Sequence, residues 1–148
     1  MRGLCLLVAF TVRLIGLARN QDELAFVMGH EASHYILAHM VRQERTAMTG
    51  AILTGVATAA LGGDPTAIQQ AQQMGASLGA RAYSKDMELE ADQMGTILAW
   101  EAGFDPLRGA QFFNRLPDPG DDFLGTHPPN AQRLQIVRQT MAAIGAAP

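Results

Sequence analysis

The chain has one cysteine, Cys5. No disulfide can form within it, and neither a CxxC redox pair nor a cysteine-based zinc finger can be built. Charge is also sparse: 17% of residues are Asp, Glu, Lys or Arg, the formal net charge is −3, and no long run of one sign occurs. That argues against a nucleic-acid partner, which asks for a basic surface. Long hydrophobic runs are missing too. The apolar stretch from Gly3 to Leu17 is interrupted by Arg13, and Thr46 to Gly63 is broken up by glycine and threonine. Neither reads as a membrane span, which needs about 20 predominantly apolar residues. No internal repeat or heptad pattern is present. The 148 residues suit one domain with a real core.

What the chain does have is His30-Glu31-Ala32-Ser33-His34, an H-E-x-x-H pentapeptide. Residues four apart share one face of a helix. Both imidazoles can then reach one metal ion, with Glu31 beside them. Two His ligands and a Glu that activates water suit a zinc hydrolase. The helix around them starts at Asn20, where Asn20 and Glu23 form a capping-box pattern. It is expected to run to about Glu44, with its apolar middle buried.

The rest of the chain reads as further helices. Thr46–Gly63 is a small-residue helix expected to pack against close neighbours, or to act as a flap or touch a membrane. Gly62-Gly63-Asp64-Pro65 is a break. A helix follows over Thr66 to about Ala82. Another is capped by Ser84 and stops at Gly103. Asp105-Pro106 opens a short helix to about Leu116. After a loop from Pro117 to Gly125, a last helix covers Asn130 to about Ile144. The expected fold is mainly α, of the α+β zincin-like kind. It has about six helices around the zinc helix and one or two short strands near the N-terminus. Residues 1–19 read as an apolar strand, a signal-like segment or an anchor. Residues 20–148 read as the catalytic domain. Trp100, Phe112 and Phe113 are expected in the core.

A catalytic zinc usually takes three protein ligands and leaves one position open. His39 lies five residues after His34, which on a continuous helix turns it off the shared face. A carboxylate from a second helix is the better third ligand. Glu88 and Asp92 are four apart and face the same way. One can bind the metal while the other accepts a hydrogen bond from a ligating His. Glu90, between them, points to another side.

H-E-x-x-H followed by Glu88-Leu89-Glu90-Ala91-Asp92 resembles the gluzincin metallopeptidases of the HtpX, BepA-like and CAAX prenyl endopeptidase family. Asn20 to Ala25 resembles that family's lead-in. Gly95 and Ala102-Gly103-Phe104-Asp105-Pro106 resemble the text of its second signature, and Thr126-His127-Pro128 with Arg133 resembles its third. The resemblance covers about residues 20 to 138. It implies one Zn2+ bound by His30, His34 and Glu88, with Asp92 orienting a zinc-binding His. Glu31 would take a proton from the attacking water and pass it to the leaving amine. His127 and Arg133 match positions that face the site in relatives, where a donor could stabilise an oxyanion. On the residues alone, His127 also reads as a helix cap beside Pro128. Arg133 also reads as the partner of a carboxylate.

The implied function is a zinc metalloendopeptidase acting on unfolded or misassembled polypeptides in the cell envelope, periplasmic or membrane-associated. The N-terminal or Thr46–Gly63 segment would be the point of membrane contact. Members of the family carry a longer portion before the zinc helix, including a strand to which peptide substrate can add. Here Val8 to Ile15 is the expected substitute, and the chain reads as a minimal catalytic core. The alternative is a truncated zinc-binding module without proteolysis of its own.

Overall fold

A computed structural model describes residues 10–118, 120, 125 and 127–146. Helices dominate it, and no strand occurs among the described residues. In chain order they are α1 (Val12–Leu17), α2 (Gln21–Ile36), α3 (His39–Ala60), α4 (Pro65–Arg81), α5 (Ser84–Glu101), α6 (Pro106–Gly109) and α7 (Asn130–Ala143). A 3-10 helix over Ala110–Arg115 continues directly from α6. The mainly α expectation holds. The expected strand does not: Val12 to Ile15 is helical, capped by the Thr11 hydroxyl on the Leu14 amide. Phe10 and Thr11 are described and are not in a strand, whereas residues 1–9 lie outside the described residues, as does Thr126.

α2 begins where the capping pattern places it. The Asn20 side chain accepts from the Glu23 amide at 3.0 Å, and the Glu23 carboxylate accepts from the Arg19 amide at 2.7 Å. α2 ends earlier than expected. Ala38 adopts a left-handed backbone, φ 53°, and the chain restarts as α3 at His39. The predicted helix to Glu44 and the predicted Thr46–Gly63 helix are therefore re-divided. One helix stops at Ile36, and another of 22 residues, about 33 Å long, spans the old boundary.

α3 and α4 form an antiparallel hairpin. A Cβ on Gly50 would lie 2.1 Å from the Gly75 carbonyl oxygen, and one on Gly79 would lie 2.2 Å from the Thr46 carbonyl oxygen. Only glycine permits such backbone approach. The Thr54 hydroxyl donates across it to the Ala71 carbonyl at 2.7 Å. The turn at the tip has Gly62 at φ 80° and Asp64 capping α4 through the Ala67 amide. Thr46 to Ala60 is thus helical and packs closely along α4, and Leu61 to Gly63 form the turn. No described helix is long and apolar enough to cross a membrane.

The core lies on the other side of the molecule, where Phe26, Val27, Ala110, Phe112, Phe113, Leu134 and Val137 pack together. It joins α2, α7 and the 3-10 helix. Phe26 meets Phe113 edge-on with centroids 5.6 Å apart. Trp100, expected in this core, is instead 43% exposed on α5. α5 starts with Tyr83 at its cap position, so Ser84 is not the cap. The Ser84 hydroxyl donates back to the Ala80 carbonyl.

α2 and α5 cross in backbone contact at Gly29 and Gly95. A Cβ on Gly29 would sit 2.8 Å from the Gly95 carbonyl oxygen, and one on Gly95 would sit 2.8 Å from the His30 nitrogen. This crossing fixes the relation between the H-E-x-x-H helix and the helix carrying Glu88 and Asp92.

Candidate metal centre

The Gly29–Gly95 crossing is immediately adjacent to His30, so the α5 turns that precede Gly95 carry Asp92 and Glu88 toward the α2 imidazoles. His30 Nε2 and His34 Nε2 lie 3.1 Å apart. Glu88 faces both rings: Oε2 is 3.5 Å from His30 Nε2, and Oε1 is 3.4 Å from His34 Nε2. Four tetrahedral ligands about 2.1 Å from a zinc ion lie about 3.4 Å from one another. Each imidazole nitrogen therefore faces its own Glu88 oxygen at about that distance, and one donor atom from each of the three residues lies within 4.8 Å of the others. Their chemistry fits as well, being two imidazole nitrogens and a carboxylate with one position left over. Among the described residues this trio forms a group able to hold a metal.

The field around the trio favours a cation. Burial works to lower the pKa of His30, but Asp92 and Glu88 outweigh it and raise it to about 9. Burial works to raise that of Glu88, but His30, Arg133 and His34 hold it down at about 2. His34 is lowered by burial and by its neighbour His30, which keeps a lone pair available. The negative carboxylates thus support positive charge between the imidazoles, the charge that a divalent ion brings.

Asp92 stands behind His30. It is fully buried, and its Oδ1 lies 2.9 Å from His30 Nδ1. The Arg133 guanidinium donates to both Asp92 oxygens at 2.7 Å and stacks on the Phe113 ring, 3.5 Å from its centroid. Arg133 thus pairs with a carboxylate, and it also lines the cleft that holds the trio. It holds the carboxylate that faces His30 and ties α7 to α5 beneath the site. Its Nη2 also lies 3.7 Å from Glu88 Oε2.

Glu31 is exposed and lines the same cleft as the trio, a cavity of about 510 Å3 whose apolar wall includes Leu14, Val27, Phe112 and Leu116. His127 is at the edge of this cleft, its side chain 56% exposed and its Nδ1 3.2 Å from Glu88 Oε2. It makes no side-chain cap on α7, and it stands beside Glu88 instead.

Sequence reasoning missed two residues. His39 is buried at 3% exposure, and its Nδ1 lies 3.0 Å from His34 Nδ1. The left-handed Ala38 swings it back toward the face that a continuous helix would carry it away from. Glu90, which α5 geometry turns from the His30–His34–Glu88 trio, meets His39 Nε2 at 3.2 Å. A five-residue His–His spacing signals nothing unless the break between them is seen, and no Gly or Pro marks that break.

Comparison with known proteins gives the same answer as the geometry. The chain is similar to a putative beta-barrel assembly-enhancing protease of Vibrio cholerae, 34% identical over 108 residues, covering 68% of this chain and 22% of that protein. It is similar to the metalloprotease LoiP of Escherichia coli K12, 30% identical over 132 residues, covering 85% and 52%. It is also similar to the mitochondrial metalloendopeptidase OMA1 of Arabidopsis thaliana, 30% identical over 137 residues, covering 90% and 27%. The chain thus spans from about a fifth to about half of the length of these relatives. No solved structure gives a match. The model of Peptidase family M48 matches residues 3–141, which take in α2, α5 and all but the last turn of α7, and the chain belongs to that family of metallopeptidases.

Proposed function

We propose that the chain is a zinc-dependent endopeptidase that hydrolyses peptide bonds of unfolded or misassembled polypeptides. The observation that carries the proposal is the grouping of His30, His34 and Glu88, with donor atoms within 4.8 Å of one another, and Glu31 in the same cleft. A zinc ion held by His30, His34 and Glu88 supplies Lewis-acid activation of water and of a peptide carbonyl. Glu31 accepts the proton of the attacking water and delivers it to the departing amine. Asp92, itself held by Arg133, keeps the His30 ring in the tautomer and orientation that ligation needs. His127, at the cleft edge and near Glu88, is our candidate donor to the charge that develops on the carbonyl oxygen.

The cleft supports a peptide substrate. Its apolar wall suits the side chains that an unfolded chain exposes and a folded one buries. The location we propose is the cell envelope, from the resemblance to its quality-control peptidases. Met48, Leu53 and Val56 are exposed on α3, so this hairpin is the segment we assign to contact with a membrane surface.

Purified protein loaded with zinc should cleave unfolded casein, lose activity to a chelator and regain it with zinc. Glu31→Gln should keep its zinc and lose about 10²- to 10⁴-fold in rate, the range for a lost general base. Equal cleavage by both proteins would remove Glu31 from the mechanism. Zinc in both with cleavage by neither would favour a metal-binding module without proteolysis.

A further inference from the structure

We propose that His39 and Glu90 are positioning residues for His34, forming a second orienting chain that matches the Asp92–Arg133 pair behind His30; this rests on the zinc reading above. His34 Nε2 faces His30 and Glu88, so as a ligand it carries its proton on Nδ1. That N–H points at His39 Nδ1, 3.0 Å away, which must then accept. The His39 proton is therefore on Nε2, from which it donates to Glu90 Oε2 at 3.2 Å. Glu90 is in turn gripped by both amino groups of Arg42, Nη1 on Oε2 and Nη2 on Oε1. Only this assignment of protons satisfies every atom of the chain.

The two arrangements share one design. Each ligating imidazole has its outer nitrogen fixed by hydrogen bonding that ends on a carboxylate, and each carboxylate is held by an arginine. Asp92 reaches His30 directly. Glu90 is further from His34, and the His39 ring spans the gap, with imidazole centroids 4.9 Å apart. The residues come from three elements. The left-handed Ala38 places His39 at the start of α3 under His34, Arg42 follows one turn later, and Glu90 projects from α5 between Glu88 and Asp92. Such outer partners fix the tautomer and raise the basicity of the ligand.

The test compares zinc affinity, by competition with a chromophoric chelator, with thermal unfolding of the zinc-free protein. His39→Leu should weaken zinc binding by about 10- to 100-fold and shift the absorption spectrum of the cobalt-substituted protein. His39→Gln should restore most of both, since its amide oxygen can accept from His34 and its amide nitrogen can donate to Glu90. Glu90 is 41% exposed, so Glu90→Ala should fold even where His39→Leu does not, and it should cost about tenfold in affinity. If His39→Leu and Glu90→Ala bind zinc within about twofold of wild type, far inside the range for an orienting partner, the pair is structural only and the proposal fails. If the wild type itself takes up no zinc, the metal reading falls first, and the two failures are told apart.

Discussion

Glu23 is the least exposed carboxylate of the α2 start, 2% exposed, and two partners keep it charged. Burial pushes its pKa up, but the Arg115 guanidinium and the Arg19 amide outweigh this and hold it below the ordinary 4.5. Arg115 Nη1 donates to it at 2.7 Å, clamping the 3-10 helix to the start of α2. A carboxylate with a depressed folded-state pKa stabilises at pH values above its unfolded pKa and stops doing so as pH falls through its folded pKa. Glu23→Gln should therefore cost about 1–3 kcal/mol at pH 7, and the gap to wild type should close progressively below pH of about 4.5. Chemical denaturation at pH 7 and at low pH checks this, and a gap independent of pH would contradict it. At this scale the sequence was most legible where side chains act within one helix turn. His30, His34, Glu88 and Asp92 each lie on a face that i, i+4 spacing defines. The choice of Glu88 as ligand and Asp92 as orienting partner came from the resemblance, since spacing leaves both open. His39 and Glu90 were not legible. Their meeting depends on a backbone reversal at Ala38, a residue with no intrinsic preference for φ > 0.

The elements show the same division. α2, α4 and α6 begin where caps and prolines place them, because these starts are set by local hydrogen bonds and by the fixed φ of proline. The split between α2 and α3 has no such local signal, so two helices were divided at the wrong place. The short α1 was misread because Val12 to Ile15 is rich in β-branched and apolar residues. Such short runs do not distinguish a strand from a helix. The contact that matters most between elements is the Gly29–Gly95 crossing. Gly95→Ala would place a methyl group against the His30 backbone and push α5 off α2. The expected cost is about 1–3 kcal/mol in stability. A fall in zinc affinity should accompany it, because the Glu88 oxygens move relative to both imidazoles. Gly16→Ala is the control, since a Cβ there meets nothing within 4 Å and should leave zinc binding unchanged. Equal zinc affinity in Gly95→Ala and wild type would show that the crossing does not set the site.

As a whole, the molecule divides its small residues and its aromatics between two tasks. The glycines of α3 and α4 zip a hairpin that carries exposed apolar side chains, while the phenylalanines of α2 and the 3-10 helix build the core beneath the site. The site is at the junction of α2, α5 and α7, each held by a different device: a cap and ion pair, a glycine crossing, and the buried Arg133–Asp92 pair. A metal bound there bridges α2 and α5, so ligand geometry and helix packing are one problem. The mainly helical class was legible from periodicity, and the family from motif order. The three-dimensional junction was not, because it depends on backbone approach distances that spacing alone does not encode.

The central claim is one metal held by two imidazoles and a carboxylate. X-ray absorption at the zinc edge, with metal quantified per chain, tests it most directly. The account predicts one zinc per chain with four nitrogen or oxygen ligands at about 2.0–2.2 Å and imidazole back-scattering from two rings. Zinc without imidazole ligands, an octahedral all-oxygen shell, or no stoichiometric zinc would contradict it.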